Sequence, residues 1–156
     1  MNDSLRIAAG LGAVTGLRSM TGVAALSRDL ADRWWLGRRA TRLEAWLADD
    51  TVAAATTVLA AGEILVDKLP GIPDRIQPGP LLGRGVIGAA VGAIAAGPDD
   101  RLAGGIIGAA SAIVGAYLGW FLRREAGRTT LIPDPAIALA EDALAVIAAD
   151  RLVDAL

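Results

Sequence analysis

Leu102–Leu122, LAGGIIGAASAIVGAYLGWFL, is a run of 21 residues without a charged side chain. An α-helix rises about 1.5 Å per residue, so this run can cross the roughly 30 Å hydrocarbon core of a bilayer. Tyr117, Trp120 and Phe121 lie near its end, where aromatic residues collect at a membrane surface, and Arg123 follows. A fully buried helix of this length would be unusual in so small a soluble domain. We therefore predict a membrane-spanning helix.

The composition of the 156-residue chain supports a membrane protein and excludes several kinds of chemistry. Hydrophobic residues make up 54% of the chain but aromatic residues only 4%, and there are 19 glycines, a mixture suited to helices that pack closely in lipid. The chain has no cysteine and no histidine, so thiolate metal sites, cysteine nucleophiles and histidine bases are excluded. A net charge of −2 gives no footprint for nucleic acid, and we expect no cofactor.

The remaining apolar stretches predict further helices, each of which carries charge. Prolines fall near their expected ends, where a helix tolerates them. The predicted helices cover about 5–26, 51–69, 81–97, 102–122 and 136–156. Residues 27–50, rich in arginine and tryptophan, are expected to form an amphipathic segment at the membrane interface, and residues 70–80 form a proline-rich loop. The predicted fold is all-α: one domain, 1–156, forming a polytopic membrane bundle of about five Gly/Ala-rich helices.

Glycines recur at four-residue spacing in three of these helices. Such spacing places small residues on one helix face, where two backbones can approach closely in lipid. The pairs are Gly12/Gly16, Gly88/Gly92, Gly104/Gly108 and Gly115/Gly119. The pattern predicts helix contacts, but it leaves open whether the partner helix belongs to the same chain or to another copy.

Counting residues along the helices places most of the intramembrane charges at similar depth. Arg18 lies about 12 Å, and Glu63 about 18 Å, from the face that carries residues 27–50. Charges in lipid cost several kcal/mol unless they are paired or hydrated, so we expect them to share a polar pocket. The candidate pocket residues are Arg18, Glu63, Asp67, Lys68, Arg84, Glu141 and Asp142.

Two interpretations of this pocket stay open. In the first, the charges form a satisfied network in which Arg18 pairs with Glu63, Arg84 pairs with Asp142, and Lys68 reaches to the surface. In the second, the surplus carboxylate binds a proton or a hard cation such as Mg²⁺, Ca²⁺ or Na⁺, although no particular metal is indicated. The proline-rich loop would then form a rigid mouth over the pocket. Its candidate residues are Pro70, Pro73, Asp74 and Arg75.

Three segments together resemble the bacterial membrane family called domain of unknown function 4126. They are GLRSMTGVAALS at 16–27, GEILVDKLPGIPDRIQPGPLLGR at 62–84 and AEDALAV at 140–146. The resemblance implies a small, multi-pass protein of the bacterial inner membrane and carries no settled activity. The matching positions are Arg18, Glu63, Asp67, Lys68, Pro70, Arg84, Glu141 and Asp142.

Three functions remain compatible with these features. An ion- or proton-coupled transporter or channel would use the carboxylate/arginine pocket, and five short helices enclose so little volume that we expect a homo-oligomer. A non-catalytic scaffold or assembly factor would use the glycine faces and the interfacial segment. A lipid-processing enzyme fits least well, because the chain lacks histidine and a G-x-S-x-G motif. The expected partners are the lipid bilayer and a small cation or proton.

Overall fold

The computed structural model of the chain describes residues 2–33, 40–66, 76–129 and 134–156. Within these ranges the chain is all-helical, with seven helices and no strand. The helices are α1 (Asp3–Leu17), α2 (Ser19–Asp32), α3 (Arg42–Leu47), α4 (Asp50–Val66), α5 (Pro78–Ala95), α6 (Gly97–Thr129) and α7 (Asp134–Val153). The all-α prediction is confirmed.

The first predicted helix, 5–26, is wrong as a single element, because the chain breaks at Arg18. This residue has an extended backbone, φ −141° and ψ 107°, and it ends α1 and precedes α2. Arginine is a good helix former, so the residue itself does not cause the break. The cause lies in charged side chains from other helices, which bind the two helix ends exposed there.

The break reverses the direction of the chain. A methyl group at Gly22 of α2 would meet the Thr15 hydroxyl and the Leu11 carbonyl of α1, so α2 returns alongside α1. At about 1.5 Å per residue, α1 and α2 are only about 22 and 21 Å long. They form a helical hairpin with Arg18 at its tip, and neither arm is long enough to cross a bilayer alone.

Both open ends of the α1–α2 hairpin lie at one end of the molecule, which we call the α3 end. The Asn2 amide donates to Asp100 at 2.5 Å, and the neighbouring Arg101 pairs with Glu44 of α3 at 2.7 Å. At the close of α2, Arg33 donates to the carbonyl of Val153 at 3.4 Å, so the last turn of α7 belongs to the same end. The tip, Arg18, therefore points into the bundle, away from the α3 end.

Close packing of glycines joins α1, α5 and α6. A methyl group at Gly12 or Gly92 would overlap the backbone of Gly108, and one at Gly16 would overlap that of Ala112. Helices α5 and α6 are joined at Gly97, whose φ of +78° is a conformation that favours glycine. The predicted glycine contacts are therefore confirmed for these positions, and their partners lie within the same chain.

The predicted interfacial segment, 27–50, is wrong at both edges. Residues 27–32 continue α2, and α4 already begins at Asp50. Between them, α3 starts with a capping box in which Thr41 and Glu44 bind each other's backbone N–H groups. Trp46 of α3 is exposed, as an interfacial segment requires. Trp34 and Trp35 lie outside the described residues.

Two helices among the described residues are long and apolar enough to cross a membrane, α5 and the Gly97–Arg128 part of α6. The 33 residues of α6 extend the predicted 102–122 helix at both ends, because Asp99 and Asp100 favour its amino terminus and Arg128 its carboxyl terminus. The predicted set of five spanning helices is not confirmed. Helices α1 and α2 are too short, and α7 carries Glu141, Asp142 and Asp150.

Candidate functional site at the break between α1 and α2

The carboxylate of Glu63, on α4, binds the amino end of α2. Its two oxygens accept hydrogen bonds from the backbone N–H groups of Ser19 and Met20, each at 2.8 Å. The residue that precedes α2, Arg18, provides no side-chain cap of its own. Because a helix amino terminus carries unpaired N–H groups and partial positive charge, a carboxylate is well suited to this position. Glu63 thus caps α2 from a distance of 44 residues in sequence.

The carboxyl end of α1 is bound in the complementary way by Arg84 of α5. Its guanidinium donates to the carbonyls of Gly16 at 2.6 Å and Leu17 at 3.2 Å. A second guanidinium nitrogen lies 3.7 Å from a Glu63 oxygen, so the two capping side chains also attract each other. Cations are favourable at the carboxyl end of a helix. Each helix end exposed by the break therefore faces a side chain of opposite charge.

Arg18 itself pairs with Asp142 of α7. The side chains are only 1% and 6% exposed, which makes this the most deeply buried ion pair described in the structure. In such surroundings the attraction between the charges is strong, but removing both from water is costly. The pair fixes the tip of the α1–α2 hairpin against α7.

The structure brings four residues of the predicted cluster together at the break, but their predicted pairing is wrong. Arg18 pairs with Asp142 instead of Glu63, and Arg84 lies next to Glu63 instead of Asp142. Residue counting gives depth along a helix, and the depths of Arg18 and Glu63 do match. It does not give the direction in which a side chain leaves the helix, and it assumed that residues 5–26 form one helix.

Of the other predicted site residues, one lies in the described part of the chain. Glu141 is partly buried on α7 beside Asp142. Six residues fall outside the described part of the chain: Asp67, Lys68, Pro70, Pro73, Asp74 and Arg75. The predicted mouth over the pocket therefore has no structural description.

Sequence reasoning missed the backbone groups that form half of this site. The N–H groups of Ser19 and Met20 and the carbonyls of Gly16 and Leu17 become available only because the helix is interrupted. A proline would have signalled the break, but none occurs in residues 1–69. The only sequence signal is Arg18 itself, a charge in the middle of an apolar stretch.

The donors around Glu63 stabilise its negative charge and disfavour a metal ion at this site. The carboxylate faces N–H groups and a guanidinium, which repel cations. Within the described ranges, no group of three or more His, Cys, Asp or Glu side chains is placed to hold a metal ion. Loss of the negative charge on Glu63 would remove the attraction that binds the start of α2.

Comparison with protein-family models, with curated proteins and with solved structures found no match for the chain. The resemblance to domain of unknown function 4126 therefore stays a prediction, and the candidate site rests on the geometry of this chain alone.

Proposed function

We propose that the chain is a small multi-pass membrane protein that moves a proton or small ion by rearranging the α1–α2 break, with Glu63 as its proton-binding carboxylate. The observation that carries this proposal is the Glu63 cap. The N–H groups at the start of α2 are bound by an ionisable side chain from another helix. The strength of this contact therefore changes when that side chain gains or loses its charge. Interrupted helices with charged groups at their ends are the usual binding sites of membrane transporters.

Large apolar side chains on the outside of the bundle support a bilayer around it. Leu102 is 80% exposed and Val114, in the middle of α6, is 63% exposed. A buried core helix of a soluble protein would hide such residues, whereas lipid covers them. Outward-facing apolar residues also occur on α4, α5 and α7: Val58, Leu59, Leu65, Leu82, Val86, Leu139, Leu144 and Ile147.

The depth of the break in this bilayer supports a transport role. Gly16, two residues before Arg18, packs against Ala112 and Ala116 of α6. These residues lie about 15 to 21 Å along the helix from Leu102, past the middle of a core about 30 Å thick. Charged groups at that depth are expensive and are typical of ion and proton pathways.

Protonation provides a two-state element for such a protein. Ionised Glu63 makes charge-assisted hydrogen bonds to Ser19 and Met20 and attracts Arg84. Neutral Glu63 keeps at most one good acceptor and loses the attraction to the helix dipole. The start of α2 is then held less tightly, which would let the break rearrange and expose the site alternately to the two faces.

Proton flux in liposomes tests this proposal. We expect Glu63→Gln to abolish proton movement, followed with a trapped pH-sensitive dye under an imposed pH gradient with Na⁺ or K⁺ on either side. Glu44→Gln is the matched control, since Glu44 is also a buried, arginine-paired glutamate but lies at the α3 end. Unchanged flux in a folded Glu63→Gln protein would refute the proposal, and equal loss in both variants would place the effect outside the break.

A second candidate, a membrane scaffold, is supported by an open groove on α5 and α6. The groove encloses about 730 Å³, and its lining includes Ala89, Ala93, Gly105 and Ala109. Small residues at this spacing let another helix approach closely, so a second copy of the chain could occupy it. A shift from oligomer to monomer in Ala93→Leu, with unchanged behaviour of Glu63→Gln, would favour this function.

A further inference from the structure

A cavity of about 160 Å³ lies between α2, α4 and α7. One end is lined by Thr21 and Ile64, and the other by Arg28 and Asp150. The remaining lining residues are Ala24, Thr57, Ala60, Ala61 and Val146. The cavity therefore runs along α2, from its first turn toward the α3 end.

The inner end of the cavity contains a polar group that needs a partner. The Thr21 side chain is buried, and its hydroxyl has no hydrogen-bond partner in the described part of the chain. Such a group costs about 1–3 kcal/mol unless water satisfies it. At about 30 Å³ per molecule, the cavity has room for about five waters. The cavity is thus large enough to hold water, and although its walls are mostly apolar, polar side chains lie at both ends.

Two residues that line this end are sequence neighbours of residues in the Glu63 cap. Thr21 follows Met20, whose N–H binds Glu63, and Ile64 follows Glu63 itself. A water molecule beside Thr21 would therefore lie next to residues that are one position away, on α2 and on α4, from the Met20–Glu63 contact. No other described cavity includes a residue next to Glu63.

The outer end of the cavity meets a second, wider cavity at the α3 end. This vestibule encloses about 410 Å³ and shares Arg28 and Asp150 with the inner cavity. Arg28 and Asp150 form an ion pair at 2.7 Å with both side chains about half-exposed. The other lining residues are Ala25, Asp29, Asp32, Val153 and Asp154. Four carboxylates thus surround the vestibule, with Arg28 and the nearby Arg33 as the facing cations.

We infer that the two cavities form a hydrated path that brings protons from the α3 end to Glu63, with the Arg28–Asp150 pair as its constriction. The carboxylates concentrate protons at the vestibule, and water beside Thr21 delivers them to the cap. A proton leaves water in the vestibule, passes along hydrogen-bonded waters and ends on a Glu63 oxygen, whose negative charge is lost. The hydration of the path does not depend on the proposed function, whereas its use by protons rests on that function.

Cysteine labelling tests the path, because the chain contains no native cysteine. Thr57→Cys places a thiol in the inner cavity, and Val58→Cys places one at the next residue of α4, on an exposed apolar surface. In liposomes we add a charged methanethiosulfonate, which reacts only with hydrated, ionised thiols. We expect Thr57→Cys to react at least ten times faster than Val58→Cys, although Val58 is the more exposed residue.

Each other outcome has a distinct meaning. Slow reaction of both cysteines overturns the path and leaves the proposed function untouched, since flux is measured separately. Fast reaction at Val58→Cys means that lipid does not cover α4, which overturns the membrane placement and with it the path. As a second readout, Arg28→Ala opens the constriction and is expected to raise the rate at Thr57→Cys several-fold without changing the rate at Val58→Cys. An unchanged Thr57→Cys rate would overturn the assignment of the constriction.

Discussion

Arg18 and Asp142 bind each other across the bundle, at the one point where the chain between α1 and α2 is not helical. Arg18 therefore has two roles: its extended backbone separates the helices, and its side chain ties the separation to α7. The helix ends beside it are held by two further charges, Glu63 and Arg84. Side chains from α4, α5 and α7 therefore stabilise the break. The loss of each contact has its own expected result.

Replacing Asp142 by alanine should destabilise the protein strongly. The buried Arg18 guanidinium would lose its carboxylate, and breaking one partner of such a pair costs about 3–5 kcal/mol. Thermal unfolding in detergent micelles measures the loss. Asp3→Ala is the control, because Asp3 also pairs with an arginine but its side chain is 89% exposed, and we expect little change there. A double variant, Arg18→Met with Asp142→Leu, should recover much of the stability, and failure to recover would contradict a purely electrostatic cost.

Replacing Glu63 by alanine should loosen the start of α2 specifically. The N–H groups of Ser19 and Met20 lose their acceptors, and loss of an N-cap costs about 0.5–2 kcal/mol. Hydrogen–deuterium exchange should become faster in peptides that cover 19–26 and stay unchanged in α6. Glu44→Ala serves as the counterpart, since Glu44 takes part in the capping box of α3. It should speed exchange in 41–47 instead, and the same pattern from both variants would argue against a local cap.

Two glycine substitutions should differ clearly in their effects on stability. A methyl group at Gly12 would overlap the backbone of Gly108, which cannot move without separating α1 from α6. At Gly83, on α5, an added methyl group would meet open space. We expect Gly12→Ala to destabilise by about 1–3 kcal/mol. Gly83→Ala should be neutral or stabilise by up to about 1 kcal/mol, because alanine favours a helix. Equal unfolding temperatures would contradict the close approach of α1 and α6.

Asp29, in the last turns of α2 at the vestibule, should make stability depend on pH. Burial raises the pKa of its carboxyl above the usual 3.8, and the charges of Asp32 and Asp154 act in the same direction, while Arg33 opposes them. A raised folded pKa means stability that is present below the unfolded pKa and is lost as pH rises through the folded value. Asp29→Asn should therefore remove part of the fall in unfolding temperature between pH 4 and pH 7. At pH 3, where Asp29 is protonated in both states, wild type and variant should differ least, and a constant difference at all pH values would contradict this origin.

The parts of the fold that sequence could predict are those that depend on one segment at a time. The uncharged run that ends at Leu122 required a helix, and the four-residue spacing of Gly104 and Gly108 required a close neighbour. The level shared by Arg18 and Glu63 followed from counting. These properties depend on helix rise and composition, which are nearly independent of the rest of the chain.

The break at Arg18 could not be predicted in this way. Arg18 and Ser19 are both compatible with a continuing helix, and the interruption is stable only because Glu63 and Arg84 satisfy the ends. These partners lie 45 and 66 residues after Arg18, on α4 and α5. The pairing of Arg18 with Asp142 is a further consequence, since a returning α2 runs alongside α7 and brings that aspartate to the tip. Tertiary contacts thus override local propensity at this site.

The return of the chain at Arg18 also changes the parity of membrane crossings. In the proposed membrane placement, a hairpin that enters and leaves at the α3 end contributes no net crossing, so the crossings that remain are even in number, with α5 and α6 among them. Residues Asn2 and Val153 then face one compartment, in accord with their contacts to Asp100 and Arg33. Fluorescent or enzymatic reporters fused to the two ends would therefore share a compartment, whereas five traverses would separate them.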